Sequence, residues 1–376
     1  MRILFLTNIP SPYRVDFFEE LGKSCELTVL YEKKCAADRD VSWIKKLEGQ
    51  NYKSIYLKPL WEKTDTALCL EVKKYLNTKQ YDYIVVGGYS TPTGMLAIRY
   101  MRKRGISYWI SVDGAILKEE SSWKYRLKHY LLSGAAGYFS PAKKTDEWLV
   151  HYGAQADRIH RYPFTSVKDS DVLEDILEEN EKTELKKELG ISEKKVVLSV
   201  GQFIYRKGYD ILLKAISPEL LDTGVYIIGG TMTDEYQKLI EENGLSNVYF
   251  LPFMEKEKLS KYYEAADLFV MPTREDIWGL VINEALAKGL SIVTSDACLA
   301  GLELVEDGVN GRVVPAENVK ELRKTILDEL ELGNDESRLR KENSLLKAKE
   351  YTIEKMAQSH MDVWENNSKN VKTGDN

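Results

Sequence analysis

The chain has little of what metal and disulfide chemistry needs. Its four cysteines (Cys25, Cys35, Cys69, Cys298) are scattered, without metal-type spacing. They read as reduced thiols of a cytoplasmic protein rather than a disulfide framework. Its four histidines, His129, His151, His160 and His360, form no paired metal motif. No stretch supplies the roughly 18 consecutive apolar residues of a membrane span. The opening run from Ile3 to Leu6 is too brief for a signal peptide and leads into Asn8, Pro10 and Pro12. No G-x-G-x-x-G follows the first strand, so the nicotinamide-dinucleotide fingerprint is missing. Excess positive charge is missing too. A net charge of −6 and a pI near 5.6 argue against a dedicated nucleic-acid binder.

What is present describes an ordinary globular chain, 43% hydrophobic and 30% charged. At 376 residues, two domains are expected rather than one. In the first half, Ile3–Thr7, Leu27–Tyr31, Tyr83–Val86, Tyr108–Ser111 and Ala136–Ser140 read as buried strands. Arg14–Leu21, Thr66–Leu76, Pro92–Arg104 and Trp123–Leu132 read as helices. From about Lys168 to Glu188, Asp, Glu and Lys dominate, which reads as a hinge and then an exposed helix. The alternation restarts with strands at Val196–Val200, Val225–Ile228, Val248–Leu251, Leu268–Met271 and Ile292–Thr294. Helices fall at Tyr209–Ile216, Asp234–Glu242, Lys256–Ala265, Gly279–Lys288 and Asn318–Leu332. Such alternation predicts α/β architecture with two Rossmann-like domains, over 1–167 and 168–350, and a ligand cleft between them. Residues 351–376 read as a helix crossing back to the first domain, ending in a polar, disordered tail after about Val371.

Chemistry concentrates between Met271 and Gly289. An apolar strand runs into a loop holding Arg274, Glu275 and Asp276. The chain then enters a helix through Gly279 and Leu280, whose free N–H groups and partial positive charge suit a phosphate. Asp276 and Glu284 stand about two helical turns apart if the helix starts near Trp278. Such carboxylates can accept hydroxyls of a sugar or ribose on either side of the anion site. The plainer reading is an acidic loop capping an ordinary helix.

A second loop strengthens the first. Val196–Val200 runs into Gly201, Gln202 and then Arg206, Lys207 and Gly208. Gly201 permits a tight turn at the strand end. Arg206 can meet a diphosphate as a fork and Lys207 as a point charge. Tyr226-Ile-Ile-Gly-Gly230 is a further strand-to-glycine turn. Asp113, in Trp109-Ile-Ser-Val-Asp-Gly114, is either a hydroxyl-binding carboxylate or a plain turn residue. Proline rigidity in Asn8–Arg14 would fix Tyr13 and Arg14 where an acceptor could dock. The string Asp169-Ser-Asp171 lies in the charged hinge and reads as surface. The basic, aromatic helix Trp123–Leu132, with Arg99, Arg102, Lys103 and Arg104 nearby, either lies on an anionic membrane surface or packs with a solvated basic face.

The stretch around Asp276 and Glu284 resembles the E-x7-E signature of retaining glycosyltransferases of family 4, which have the GT-B fold. Asp276 stands for the first Glu, with Glu275 as its rival, and Glu284 is the second. The resemblance is strongest from Val196 to Val314 and includes Val305–Pro315, similar to the family's Gly-rich turn. It implies that Lys207 binds the donor phosphates. Gln202 stands where an Arg is usual, and Arg206 is placed to supply the charge. Phe253 falls in the region beside the nucleobase, while Phe250 reads as core. Asp113 takes the place of a His that touches the donor sugar. The implied activity is transfer of a sugar from a nucleotide-sugar to a saccharide or lipid-linked saccharide acceptor, with retention, in surface polysaccharide synthesis. No metal or other cofactor is implied. The chain is expected in the cytoplasm, with weak peripheral contact at the inner face of the cell membrane. A nucleotide-sugar epimerase and a non-catalytic sugar-nucleotide-binding protein are the alternatives.

Overall fold

The structure is a computed structural model and describes residues 1–34, 50–64, 66–77, 79–216, 220 and 222–373. Cys35 and the tail beyond Thr373 lie outside the described residues. The chain divides into two units, Met1–Ser166 with Thr352–Asn376, and Val167–Tyr351.

The first unit is built on strands β1 (Arg2–Thr7), β2 (Glu26–Tyr31) and β3 (Lys53–Tyr56), the hairpin β4 (Trp61–Lys63) and β5 (Thr66–Leu68), and β6 (Tyr83–Val86), β7 (Trp109–Ser111), β8 (Gly137–Ser140) and β9 (Ile159–Arg161). Seven of these form a parallel sheet in the order β3-β2-β1-β6-β7-β8-β9. Its helices are α1 (Pro12–Leu21), α2 (Pro92–Arg104), α3 (Ser122–Leu132) and α4 (Lys143–His151). Pro12 opens α1 and Pro92 opens α2, where a missing N–H costs nothing.

The second unit repeats the plan. Helix α5 (Glu179–Leu189) leads into β10 (Lys195–Val200), α6 (Tyr209–Ala215), β11 (Thr223–Ile228), α7 (Asp234–Asn243), β12 (Val248–Leu251), α8 (Lys256–Ala265) and β13 (Leu268–Met271). Then follow α9 (Leu280–Ala287), β14 (Ser291–Ser295), α10 (Leu299–Leu304), β15 (Gly311–Val314), α11 (Val319–Leu330) and α12 (Asn334–Glu350). The six strands are parallel, in the order β12-β11-β10-β13-β14-β15. Strands β11 and β13 are buried along their whole length, as the apolar runs Val225–Ile228 and Leu268–Met271 require between two helical layers. The order reverses between β10 and β13. A doubly wound sheet binds ligands at that switch point, outside the carboxyl ends of the strands. Finally α13 (Ile353–Thr373) packs on α1 of the first unit, with Trp364 fully buried beside Tyr83 and Phe139.

The expected helix Thr66–Leu76 does not form. Thr66–Leu68 pairs antiparallel with Trp61–Lys63, and Leu70–Lys74 is a short 3-10 turn. Side chains from elsewhere take the backbone groups that a helix would use. Glu32 accepts from Ala67 N–H at 3.2 Å, and Thr93 Oγ1 accepts from Cys69 N–H and donates to the Ala67 carbonyl. Helices α4, α10 and α12 and the edge strands β3, β9 and β15 stand beyond the expected pattern. The Asp169–Asp171 string forms a 3-10 turn, and Asp171 pairs with Lys256 at 2.6 Å.

Helix α5 is not wholly exposed. Lys182 is 4% exposed and donates to the Ala266 carbonyl at 2.7 Å and to Asp267. Asp267 also takes Lys186 at 3.0 Å and the N–H of Val196 at 2.9 Å, joining α5 to the starts of β10 and β13. Burial pushes the Asp267 carboxyl up, but Lys182 and Lys186 outweigh it and hold its pKa below the ordinary value. A carboxylate whose pKa is depressed by folding stabilises the fold above its unfolded pKa and loses that contribution as pH falls. Asp267→Asn should therefore cost about 3 kcal/mol at pH 7, because it strands two lysines. The same variant should flatten the fall in unfolding free energy below about pH 5, as read by urea unfolding.

Candidate functional site

Two loops leave the carboxyl ends of the neighbouring strands β10 and β13 and touch. The first turns at Gly201 (φ 152°), where an added Cβ would stand 3.3 Å from the Lys207 stem. It closes through a 3-10 turn, Tyr205–Lys207, into Gly208 at φ 71°. A Cβ on Gly208 would lie 2.1 Å from the Pro272 carbonyl oxygen, so only glycine lets the loops approach this closely. The Arg206 carbonyl accepts from Thr273 Oγ1 and from Arg274 N–H, both at 2.7 Å.

This contact brings the expected charges together. Lys207 Nζ donates to Asp276 Oδ2 at 2.5 Å, and Arg206 lies 3.5 Å from the same oxygen. Lys207 and Asp276 are 11% and 13% exposed, against 47% for Arg206. The ammonium is thus preset by its partner. The half-exposed guanidinium donates to the Glu275 carbonyl at 3.2 Å, and its longer, partly solvated pair with Asp276 is weak. Lys207 has three donors, and one goes to Asp276. The Asp276 backbone is itself pinned, its N–H to the Ala297 carbonyl and its carbonyl to Leu299 N–H. Beneath it, burial and then Asp276 push the Cys298 thiol up to about 12, which keeps it inert.

Helix α9 begins at Leu280, not near Trp278. Asp276 therefore lies in the loop before the helix, and Glu284 lies in its second turn. The two are not two turns apart on one helical face. The reason is Gly279. At φ 105° it is left-handed, and a Cβ there would meet Cys298 Sγ at 2.8 Å. The cap at Gly279 supplies no side-chain acceptor, and no acidic residue stands in the first turn. The N–H groups of Leu280 and Val281 carry the positive end of the helix. Glu284 accepts from Tyr263 Oη at 3.0 Å. Burial, then Glu284, push the Tyr263 phenol well above its ordinary value, so it stays a neutral donor that orients the carboxylate.

Gln202 and Phe253 are exposed, Phe253 at 56%. Phe250 packs instead, edge-on to Phe203 at 5.1 Å and stacked on Tyr236 at 5.6 Å. Tyr263 is a site residue that the sequence does not point to, and Arg274, though visible in the loop, has no role assigned from sequence. Tyr263 is set by a helix apart from the motif and has no local signal. Arg274 stands inside the motif, and its fork engages Asp210 and Glu317.

In the first unit, Tyr13, Arg14 and Asp113 meet. Tyr13 Oη donates to Asp113 Oδ2 at 3.0 Å, and Arg14 pairs with Oδ1. Tyr162 donates to the Val112 carbonyl at 2.9 Å and lies 3.4 Å from Asp113. Burial opposes the charge on Arg14, but Asp113 more than offsets it. Burial, then Asp113, push the Tyr13 phenol to about 12. Asp113 is 31% exposed and presents its remaining surface from a buried, fixed base.

Helix α3 buries only Leu131 and Leu132. Trp123, Leu127 and Tyr130 are 64%, 38% and 42% exposed and recur at i, i+4 and i+7, which places them on one face. Lys124 and Arg126 are exposed on the same helix. No helix among the described residues is long and apolar enough to cross a membrane.

Residues 181–345 match the family model of Glycosyl transferases group 1. The alpha-D-kanosaminyltransferase of Streptomyces kanamyceticus is 28% identical over 218 residues, 56% of this chain and 55% of the relative. The chain spans about half the length, or less, of the curated relatives it matches. HepE of Anabaena, solved with UDP and glucose, superposes with a TM-score of 0.76 at 18% identity, covering 97% of this chain and 100% of that one. WaaG, a glycosyltransferase involved in lipopolysaccharide biosynthesis, superposes at 0.68 with 18% identity, covering 96% and 99%. The chain has the GT-B fold.

The loop contact makes Gly208 costly to replace. Gly208→Ala combines a left-handed backbone with a clash against main chain. It should cost more than about 2 kcal/mol. Urea unfolding checks this, and a loss below about 0.5 kcal/mol would show that the loops can part freely.

Proposed function

We propose that this protein is a retaining glycosyltransferase of family 4 that takes its sugar from a nucleotide-sugar. The observation that carries the proposal is the Lys207–Asp276 pair, set between glycine-lined loops at the switch point of the second sheet. In this reading residues 168–350 hold the donor and residues 1–167 the acceptor. Lys207 and Arg206 meet the diphosphate, helped by the N–H groups at Gly279 and Leu280. Gly201 and Gln202 line the strand end beside them. Glu284, oriented by Tyr263, takes the ribose hydroxyls, and exposed Phe253 lies against the base. Asp276 and Glu275 face the sugar hydroxyls. Asp113, with Tyr13 and Arg14 behind it, receives a hydroxyl of donor or acceptor.

The bond from the anomeric carbon to the diphosphate oxygen breaks, and its electron pair leaves with the diphosphate. The acceptor oxygen bonds to the same face of that carbon and gives its proton to the departing phosphate oxygen. Lys207 and Arg206 stabilise the charge that develops. The chemistry of this reading calls on no metal.

The test is a panel of nucleotide-sugars read by thermal stabilisation, since a ligand that binds only the folded state raises its melting temperature. At least one should stabilise the protein. Lys207→Ala should then reduce turnover roughly a hundredfold, about 3 kcal/mol, while leaving the fold intact. A panel without any stabilising member, or near-normal turnover in that variant, defeats the proposal.

The acceptor in this proposal is a saccharide or lipid-linked saccharide of surface polysaccharide synthesis, presented at the inner face of the cell membrane. The exposed stripe Trp123, Leu127 and Tyr130, flanked by Lys124 and Arg126, supports it. Each basic residue near an anionic bilayer contributes about 1 kcal/mol, fading within about 8 Å at physiological salt. Anionic vesicles should co-sediment the protein at low salt and release it at high salt. Changing Lys124 and Arg126 to Glu should abolish the effect. Wild-type protein that ignores such vesicles at low salt points to an acceptor free in solution.

A further inference from the structure

We infer that Arg274 is a positioning residue of the diphosphate site, clamping the Tyr205–Lys207 turn so that Lys207 and Asp276 stay aligned. This rests on the donor-site reading above. The Arg274 guanidinium bonds to none of the side chains assigned to the ligand but to Asp210, Glu317 and the Tyr205 carbonyl. Its Nη1 and Nη2 atoms engage both oxygens of Asp210, at 2.8 and 2.9 Å. Nη1 also donates to the Tyr205 carbonyl at 2.8 Å, and Nε donates to Glu317 at 2.8 Å. The guanidinium lies 4.0 Å from the centre of the Tyr205 ring, and the Arg274 N–H holds the Arg206 carbonyl at 2.7 Å.

The placement gives these contacts their meaning. Tyr205 and Asp210 stand on either side of Arg206 and Lys207 in sequence. Arg274 itself lies two residues before Asp276. One side chain therefore fixes both ends of the cationic turn to the loop that carries its counter-ion. Tyr205 is 72% exposed, so packing does not fix this end of the turn, and the guanidinium against its ring and carbonyl does. The Asp210 contact is the strong one, a two-point fork between side chains only 14% and 10% exposed. Glu317 is 61% exposed and adds little through its charge. It is nevertheless the one non-glycine residue at positive φ among the described residues, at 62°. A lysine could keep the charge at position 274 but not the fork or the stack.

A merely structural arginine would lower stability without regard to Lys207. A positioning arginine acts through Lys207, and a double-mutant cycle separates the two. The probes are UDP and GDP, with inorganic pyrophosphate for the diphosphate alone, measured by titration calorimetry. The proteins are wild type, Arg274→Lys, Arg274→Met, Lys207→Ala and each Arg274 variant combined with Lys207→Ala. Each Arg274 variant should weaken the binding probe about tenfold in the wild-type background and less than about twofold beside Lys207→Ala. Arg274→Lys keeps the charge and serves if Arg274→Met fails to fold. Equal weakening in both backgrounds, or none in either, overturns the role of Arg274 while leaving the donor site standing. If wild type binds none of the three probes, the donor-site reading falls and the positioning role falls with it.

Discussion

The approach of Gly208 to the Pro272 carbonyl is the constraint on which the second unit's site depends. Lys207 and Asp276 are 69 residues apart in sequence. They meet because the loops after two adjacent parallel strands close without a side chain between them. Hydrogen bonds from Thr273 and Arg274 to one carbonyl, that of Arg206, lock the closure. The electrostatics follow from this geometry. A lysine 11% exposed is tolerable only beside a carboxylate, and that pairing fixes where its remaining donors can point.

The first unit obeys the same logic with different residues. Arg14 is 3% exposed, and the cost of burying its charge is met by Asp113, which also takes Tyr13. Three residues that read in sequence as separate candidates, two after β1 and one after β7, are one polar cluster. Their strands are not neighbours in the chain but lie close in the sheet, with only β6 between β1 and β7. Arg14 is buried beneath, and the carboxylate and part of Tyr13 reach solvent. The cluster is therefore suited to holding a hydroxyl in one place rather than to adapting to many.

Much of this was legible. Apolar runs such as Leu268–Met271 and Val225–Ile228 are buried strands because parallel sheets covered on both faces demand such runs. Lys207, Asp276 and Glu284 stand in short motifs whose residue types suit a ligand bearing phosphates and hydroxyls. Thr66–Leu76 misled because its apolar spacing fits a helix equally well. Glu32 and Thr93 decided otherwise by taking the backbone bonds of Ala67 and Cys69. The helix expected at Gly279–Lys288 starts one residue later, and the two-turn spacing of Asp276 and Glu284, which supposed a start near Trp278, fails because Gly279 adopts a left-handed turn fitted tightly against Cys298.

The sequence alone determined the strand and helix alternation, the division into two halves, and the residue types at each strand end, since these depend on local periodicity and composition. Only the tertiary structure decided which of those residues meet. Tyr263 reaches Glu284, Arg274 reaches Asp210 and Glu317, and Tyr13 and Arg14 reach Asp113. The physical reason is that hydrogen bonds and ion pairs act over about 3 Å. Sequence periodicity fixes the face on which a side chain stands, but not which distant side chain the fold sets opposite it.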